Sequence, residues 1–231
     1  MREIAQEERS VWLLPVLILT ALVLISTLVA GPLRMAASQN MTAEPPPSFE
    51  WMSPEQQEQF LQAQQGMNSP VTTTVFPAIG AVVGVWMGWF LLASILHLVM
   101  TMLGSRSTST TAYNLTAWAS LPFAIRLIVQ IIAMLTAKQV ITSPGLSGFV
   151  AADAAGVMLY VKSLLRLVDI YWIWQFFLLW LGAAVIPGLT RRKAFSAVAV
   201  SILLVLLLSG LPGFIIGQFS GMDVNRPFMF F

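Results

Sequence analysis

The sequence contains no cysteine and only one histidine, His97. Without cysteine the chain can form no disulfide, no thiolate nucleophile, no cysteine-ligated zinc site and no iron–sulfur cluster. A single histidine is too few for a histidine-based metal site, and it argues against a Ser-His-Asp triad. We therefore expect no metal, no cofactor and no catalytic residues, and the chain is predicted not to be an enzyme.

Charge is also scarce, because only 10% of the 231 residues are Asp, Glu, Lys or Arg. Soluble domains carry about 25% charged residues. Here 57% of the residues are hydrophobic and the mean hydropathy is +0.80, so a soluble fold could not bury this much apolar surface. The net charge of +2 and the lack of basic runs beyond residues 191–193 argue against nucleic acid as a partner. Membrane lipid is the expected surrounding.

Apolar segments long enough to cross a membrane recur along the chain. A bilayer core about 30 Å thick needs about 20 apolar residues in a helix. The first segment is interpreted as a retained span, because its apolar run is longer than that of a signal peptide and its head is not basic. The fold class predicted is all-α, a single membrane domain (1–231) that forms a bundle of five transmembrane helices. The spans are expected at about 11–30, 77–103, 115–135, 164–189 and 194–217.

Basic residues in the short loops predict the orientation of the bundle. Arg106 lies between the second and third spans, residues 191–193 (Arg-Arg-Lys) lie between the fourth and fifth, and Arg2 and Arg9 precede the first. Such residues favour the cytoplasmic side. The protein is therefore predicted to be a multi-pass protein of the bacterial plasma membrane, with a cytoplasmic N-terminus and an extracytoplasmic C-terminus.

The long loop 31–76 is predicted to face outward and to contain a short helix. Ser53 is typical of an N-cap, Pro54 of the first helical position, and Gln56 of the partner that completes a capping box. The helix is expected over about 53–66. It is interpreted either as a surface helix that rests on the membrane or a neighbouring span, or as a docking element for an extracytoplasmic partner.

A second amphipathic stretch precedes the fourth span. Apolar residues between Val157 and Leu165 alternate with Lys162 and Arg166. This pattern predicts a helix that enters the membrane at a shallow angle and continues into the span.

Glycines recur at four-residue spacing in two places and would give each helix a smooth face. Lipid provides no hydrophobic drive for helix association, so close backbone packing matters more than in water. The two faces are interpreted either as packing surfaces within the fold or as interfaces to another subunit. The residues concerned are Gly80, Gly84 and Gly88, and then Gly213, Gly217 and Gly221.

Three of the ionisable residues in the predicted spans are candidates for a functional role. Arg126 lies near the centre of the third span, where a charge costs at least about 2.5–3.5 kcal/mol, so it is expected to face the bundle interior. Asp169 is its predicted ion-pair partner, with capping or water as the alternative for both. His97, in the second span, is interpreted as a hydrogen-bonded packing residue, with a proton relay as the alternative.

Several short motifs between residues 53 and 195 resemble a known family. They are Ser-Pro-Glu-Gln-Gln (53–57), MNSP (67–70), a Gly-Ser-rich turn (104–111), Tyr113, Pro122, VDIYWIWQFFLLWLG (168–182) and RRKAF (191–195). Together they resemble the bacterial branch of the Ypt-interacting-protein (YIP) family. The fourth span looks like the family's Asp-x-Phe-x-x-Trp pattern, although Tyr171 stands where Phe is usual.

The resemblance implies a five-span helical bundle and an adaptor-like role. Eukaryotic members are similar to trafficking adaptors that bind small GTPases through a cytoplasmic N-terminal region, whereas only about ten residues precede the first span here. Some bacterial members resemble accessory subunits of ABC exporters. The resemblance therefore implies an accessory or scaffold subunit whose partners are other integral membrane subunits, with an ABC permease and ATPase and an extracytoplasmic adaptor as candidates.

Two alternatives to an exporter subunit remain open. A small transporter or channel would need polar residues along a path, and the spans offer only a few, namely His97, Arg126, Gln130, Asp169 and Gln175. A subunit of a respiratory or photosynthetic complex is the other alternative. An intramembrane enzyme is disfavoured because no Gly-x-Ser-x-Gly or His-Glu-x-x-His motif occurs.

Overall fold

The computed structural model describes residues 10–41, 49–141, 145–150 and 157–220, and in this part of the chain all regular structure is helical. Short helical turns lie at Phe49–Trp51, Val71–Val75 and Gly145–Phe149. The described residues contain eight α-helices, labelled here in chain order: α1 (Leu13–Met41), α2 (Pro54–Met67), α3 (Phe76–Met102), α4 (Ser109–Ala119), α5 (Pro122–Ala137), α6 (Val157–Leu165), α7 (Ile170–Ala183) and α8 (Arg191–Ser220).

Four continuous helical stretches are long and apolar enough to cross a membrane. They are Leu13–Ala37, Val71–Met102, Ser109–Ala137 and Arg191–Leu211. A fifth crossing results if α6 and α7, which are bent by 68° relative to each other, count as one span. The predicted all-helical membrane fold is therefore confirmed, and five spans agree with the helices of the described residues.

The bend between α6 and α7 differs from the continuous fourth span expected over 164–189. The α7 helix has 14 residues, which at 1.5 Å per residue gives about 21 Å, too short for the hydrocarbon core alone. Asp169 starts α7 as its N-cap, and the backbone N–H of Leu146 donates to the carbonyl oxygen of Val168 over 3.1 Å. The chain at 145–149 thus packs against the break, so α6 forms a separate helix.

The first span also runs further than expected. It was expected to end at about residue 30, just before Gly31-Pro32, but α1 continues through Pro32 to Met41. The missing proline N–H removes one hydrogen bond, and the Ala- and Met-containing segment that follows has high helix propensity. The loop expected over 31–76 is therefore shortened at both ends, because helical structure resumes at Val71.

The chain forms two compact units. The first comprises the described residues within 1–15, 88–123 and 142–231, and the second comprises those within 16–87 and 124–141. In the first unit the core is built around α4, with seven of its eleven residues buried. Leu96, Leu115, Leu179 and Val198, from four different helices, are fully buried there.

In the second unit, the end of α1 packs against the turn Val71–Val75. The side chain of Thr74 occupies the space where a Cβ of Gly31 would lie. Arg34 Nη1 donates to the carbonyl oxygen of Thr73 over 3.3 Å, and Trp86 Nε1 donates to Thr20 Oγ1 over 3.1 Å. Beside this contact lies an open apolar cleft of about 450 Å³, lined by residues that include Leu28, Pro32, Met35 and Pro70.

Candidate functional site

The most unusual feature of the first unit is that its central helix, α4, is polar. Asn114 and Thr116 are fully buried, and Thr111 and Ser120 beside them are almost so. Polar groups in the hydrocarbon region must be hydrogen-bonded within the protein, because lipid offers them no partner. The packing of α4 therefore depends on hydrogen bonds as well as on shape.

A hydrogen-bond chain links α7 to α4. Gln175 Nε2 donates to Ser120 Oγ over 2.9 Å, and Ser120 Oγ donates in turn to the carbonyl oxygen of Thr116 over 2.7 Å. Gln175 retains only 4% of its exposure, so this bond is shielded from water. Interhelical bonds of this kind fix the register of two helices in a membrane.

A second hydrogen bond ties the start of the first span to α4. The backbone N–H of Val11, just before α1, donates to Asn114 Oδ1 over 3.0 Å. Close by in the same unit, the rings of Trp12 and Trp89 stack with centroids 4.6 Å apart, and Trp89 lies 5.5 Å from Tyr113. Asn114 thus provides a buried acceptor for a backbone N–H at the start of α1. The aromatic rings of Trp12, Trp89 and Tyr113 pack close to this bond.

Three buried polar atoms have no hydrogen-bond partner in the part of the chain that the structure describes. They are His97 Nδ1, Thr116 Oγ1 and Trp118 Nε1. His97 was predicted to be either a hydrogen-bonded packing residue or a proton relay. The ring Nδ1 makes no hydrogen bond among the described residues, and the choice between the two roles stays a prediction.

The two charged residues singled out from the sequence belong to different units. Asp169 Oδ1 accepts from the backbone N–H of Trp172 over 2.9 Å, which makes it the N-cap of α7 in the first unit. Arg126 lies half-buried on α5 in the second unit. Asp169 therefore caps α7, as the alternative to an ion pair predicted. The pairing of Asp169 with Arg126 stays a prediction.

The glycines predicted to form a face on α3 lie in open space. A Cβ added to Gly80, Gly84 or Gly88 would meet no atom within 4 Å. By contrast, a Cβ on Gly182 would collide with Leu115, and one on Gly210 with Leu164. Of the second predicted set, Gly213 and Gly217 lie within α8, and Gly221 lies outside the described residues.

The helix predicted in the loop 31–76 forms with the predicted cap. Ser53 Oγ accepts from the backbone N–H of Gln56, and Gln56 Oε1 accepts from the backbone N–H of Ser53, so the capping box is confirmed. Phe60 packs on Phe49 with ring centroids 5.6 Å apart. Trp51, at the end of the turn Phe49–Trp51 that precedes α2, is 89% exposed, so this loop has an aromatic residue free for a membrane surface or a partner.

Comparison with known proteins assigns the fold described above to a family. The family model of the Yip1 domain matches residues 1–211, which is most of the chain. The chain belongs to the Yip1 family. Neither the curated proteins nor the solved structures gave a match. The resemblance to the YIP family is thereby confirmed, and within the match lie all the polar contacts of α4.

Sequence reasoning singled out only part of this polar arrangement in the Yip1 domain. Gln175 was among the few polar residues of the spans, but Asn114, Thr116 and Ser120 were not identified. The sequence does carry a signal, because the segment Ser109–Ser120 contains six Ser, Thr or Asn residues in a stretch that is followed at once by an apolar span. Polar residues at this density inside a membrane helix indicate interhelical hydrogen bonding.

The chemistry available in this Yip1 domain is that of hydroxyls, amides and apolar surfaces. Among the described residues, no group of three His, Asp or Glu side chains is placed to hold a metal ion. The side chains of Asn114, Ser120 and Gln175 are used for helix packing, whereas Thr116 Oγ1 makes no hydrogen bond among the described residues. The open features are the surface of α3 around Gly80 and Gly84 and the exposed Trp51 before α2.

Proposed function

We propose that this Yip1-family protein is a non-enzymatic accessory or scaffold subunit of a larger membrane complex. The observation that carries the proposal is the open face of α3. Gly80 and Gly84 are exposed there, and a Cβ added to either glycine would meet no atom within 4 Å. Between and beside them Ile79, Val83 and Met87 are each more than half exposed. We name these five residues the glycine face.

The glycine face suits a protein partner better than it suits lipid. Lipid chains gain nothing from a glycine, whereas another helix can bring its backbone close where side chains are absent. This face belongs to the span Val71–Met102. Only 17% of the most apolar 18-residue stretch of this span is buried, compared with 28–33% in the other three continuous candidate spans. The glycines that serve internal packing, Gly182 and Gly210, lie elsewhere.

An ABC-type exporter of the bacterial plasma membrane is the host complex that we propose. The support is the resemblance to the bacterial branch of the family, which is an argument by analogy. In this arrangement the glycine face contacts the permease, and α2 with the exposed Trp51 contacts an extracytoplasmic adaptor. The basic loops orient the protein with its N-terminus in the cytoplasm and its C-terminus outside.

Purification from native membranes tests this proposal. The full chain, tagged at the N-terminus, is extracted in mild detergent, and the chains that co-purify are identified by mass spectrometry. We expect stoichiometric permease and ATPase chains, and we expect the variant G80L/G84L to lose them because two leucines prevent close approach. The control A137L places a leucine at an exposed position of α5 and should retain the partners.

Other outcomes of the same purification would redirect the assignment. Redox or pigment proteins would indicate a respiratory or photosynthetic complex, and a small GTPase would indicate the vesicle-trafficking role that the Yip1 family suggests. If the wild type and both variants were all recovered without co-purifying chains, that result would contradict an accessory role.

A small transporter or channel is the second candidate. The 68° break between α6 and α7 favours it, because discontinuous helices line the substrate sites of many transporters. The unpaired Thr116 Oγ1 and His97 Nδ1 are polar groups available within the first unit. Solute flux into liposomes that contain only the purified chain would support this candidate, and loss of the flux in H97A would locate the path.

A further inference from the structure

Two loops of the first unit meet at one end of its helices. Lys193 Nζ, in the first turn of α8, donates to the carbonyl oxygen of Leu103 over 2.9 Å. Gly188 has φ +87°, and a Cβ at this position would lie 2.7 Å from the carbonyl oxygen of Gly104. The segment 103–108, between α3 and α4, therefore lies in direct contact with the segment 184–193, between α7 and α8.

This contact gathers positively charged side chains on two neighbouring segments. Arg106 is exposed on one segment, and Arg191 and Arg192 are exposed on the other. Neither segment contains an Asp or a Glu. In the described part of the chain, the three guanidinium groups make no hydrogen bond or ion pair. We name Arg106, Arg191 and Arg192 the basic patch.

Hydroxyl groups and helix starts surround the basic patch. Ser105 and Ser107 lie next to Arg106, with their Oγ atoms 2.8 Å apart. Thr190 Oγ1 accepts from the backbone N–H of Lys193 over 3.4 Å at the start of α8. Helices α4 and α8 both begin here, so their N-terminal dipoles add to the positive potential.

The basic patch lies at the level of the membrane surface. Segment 103–108 joins the candidate spans Val71–Met102 and Ser109–Ala137, and segment 184–193 joins α7, the second half of the bent pair, to the candidate span Arg191–Leu211. Trp180 Nε1 donates to the carbonyl oxygen of Arg191 over 3.4 Å, and the Trp180 ring lies 5.8 Å from that of Phe195. Tryptophan prefers the boundary between hydrocarbon and water, which places the neighbouring arginines at the depth of the lipid headgroups.

We propose that the basic patch binds the headgroup of an anionic phospholipid, with the three guanidinium groups on the phosphate oxygens. Guanidinium groups bind phosphate through two parallel hydrogen bonds, and basic residues between transmembrane helices are suited to anionic headgroups. Lys193 has a positioning role, because its contact with Leu103 holds the two segments together. The proposal is independent of which complex hosts the chain.

The test is a lipid titration of the purified full chain in neutral detergent, followed by native mass spectrometry. The probes are dioleoyl phosphatidylglycerol and dioleoyl phosphatidylcholine. We expect the wild type to prefer phosphatidylglycerol by at least about tenfold, and we expect R106Q/R191Q/R192Q to lose this preference, because each basic residue near a headgroup contributes about fivefold. The control K138Q/K162Q/R166Q removes the same charge elsewhere and should keep the preference.

Further arms keep the proposal falsifiable. Salt at about 1 M, where the Debye length is about 3 Å, should remove most of the preference of the wild type, so the test does not depend on a variant that folds. R106K/R191K/R192K should keep part of it. Equal binding of both lipids by the wild type, or equal losses in the two triple variants, would overturn the proposal. Displacement of phosphatidylglycerol by millimolar inorganic phosphate would contradict a lipid ligand.

Discussion

Gly182 of α7 faces the buried side chain of Leu115 in α4 so closely that a Cβ at this glycine would overlap the Leu115 methyl group. A Cβ at Gly84 of α3, by contrast, would have no atom within 4 Å. The two glycines therefore serve different purposes, although both lie in apolar membrane helices. Gly182 belongs to the packing of the first unit, and Gly84 is available to a partner.

Substitution of Gly182 by alanine should destabilise the fold. Leu115 is fully buried, so it has no free space into which it can move, and overpacking of this kind costs about 1–3 kcal/mol. G182A should lower the apparent melting temperature in detergent. G84A is the matched control and should leave that temperature unchanged or raise it slightly. Equal effects of the two substitutions would contradict the distinction between the glycines.

Removal of the Ser120 hydroxyl should weaken the contact between α4 and α7. In S120A the amide of Gln175 loses its acceptor in a site shielded from water, which should cost about 0.6 kcal/mol and up to about 1.7 kcal/mol. T136A is a suitable control, because Thr136 is exposed and its hydroxyl bonds only to its own helix. Thermal unfolding in detergent measures both, and a T136A effect as large as that of S120A would argue against the network.

The two roles considered for Asp169 can be separated by substitution. As the N-cap of α7, Asp169 should tolerate asparagine, whereas alanine should cost about 1 kcal/mol. An ion pair with Arg126 would instead make D169N as harmful as D169A. A double-mutant cycle with R126Q decides the matter, since a coupling energy above about 0.5 kcal/mol would establish the pair.

Gly188 should be intolerant of any side chain. Its φ of +87° is strained for other residues, and a Cβ would approach the carbonyl oxygen of Gly104. G188A should therefore cost about 1–3 kcal/mol and should separate the two loop segments that carry the basic patch. G66A, in open space on α2, is the control and should have little effect. The melting temperatures of the two variants provide the comparison, and a stable G188A would be inconsistent with the loop contact.

The sequence alone predicted the features that depend on local patterns. Hydropathy predicts the number of spans because the bilayer sets the length of an apolar helix. The capping box at Ser53 is predicted because it depends on residues only three positions apart. The end of the first span was placed near Gly31 and Pro32 because proline is a helix breaker in isolation, whereas here α1 continues through it to Met41.

Features that depend on contacts between distant residues could not be predicted. The break before Asp169 depends on the segment at 145–149, which packs against the carbonyl oxygen of Val168. The bond between Ser120 and Gln175 joins residues 55 positions apart. The same limit applies to the glycines, because spacing predicts a smooth helix face but does not say whether another part of the chain covers it.

Crosslinking in native membranes tests the central claim, that the glycine face contacts another subunit. The chain has no cysteine, so V83C provides a single thiol on this face, and L203C provides one on an exposed part of α8. With a maleimide–diazirine photocrosslinker, which needs no thiol on the partner, we predict that V83C forms a defined adduct with another integral membrane chain and that L203C does not. Absence of any V83C adduct, with both thiols shown to react with a soluble maleimide of the same reach, would contradict the account.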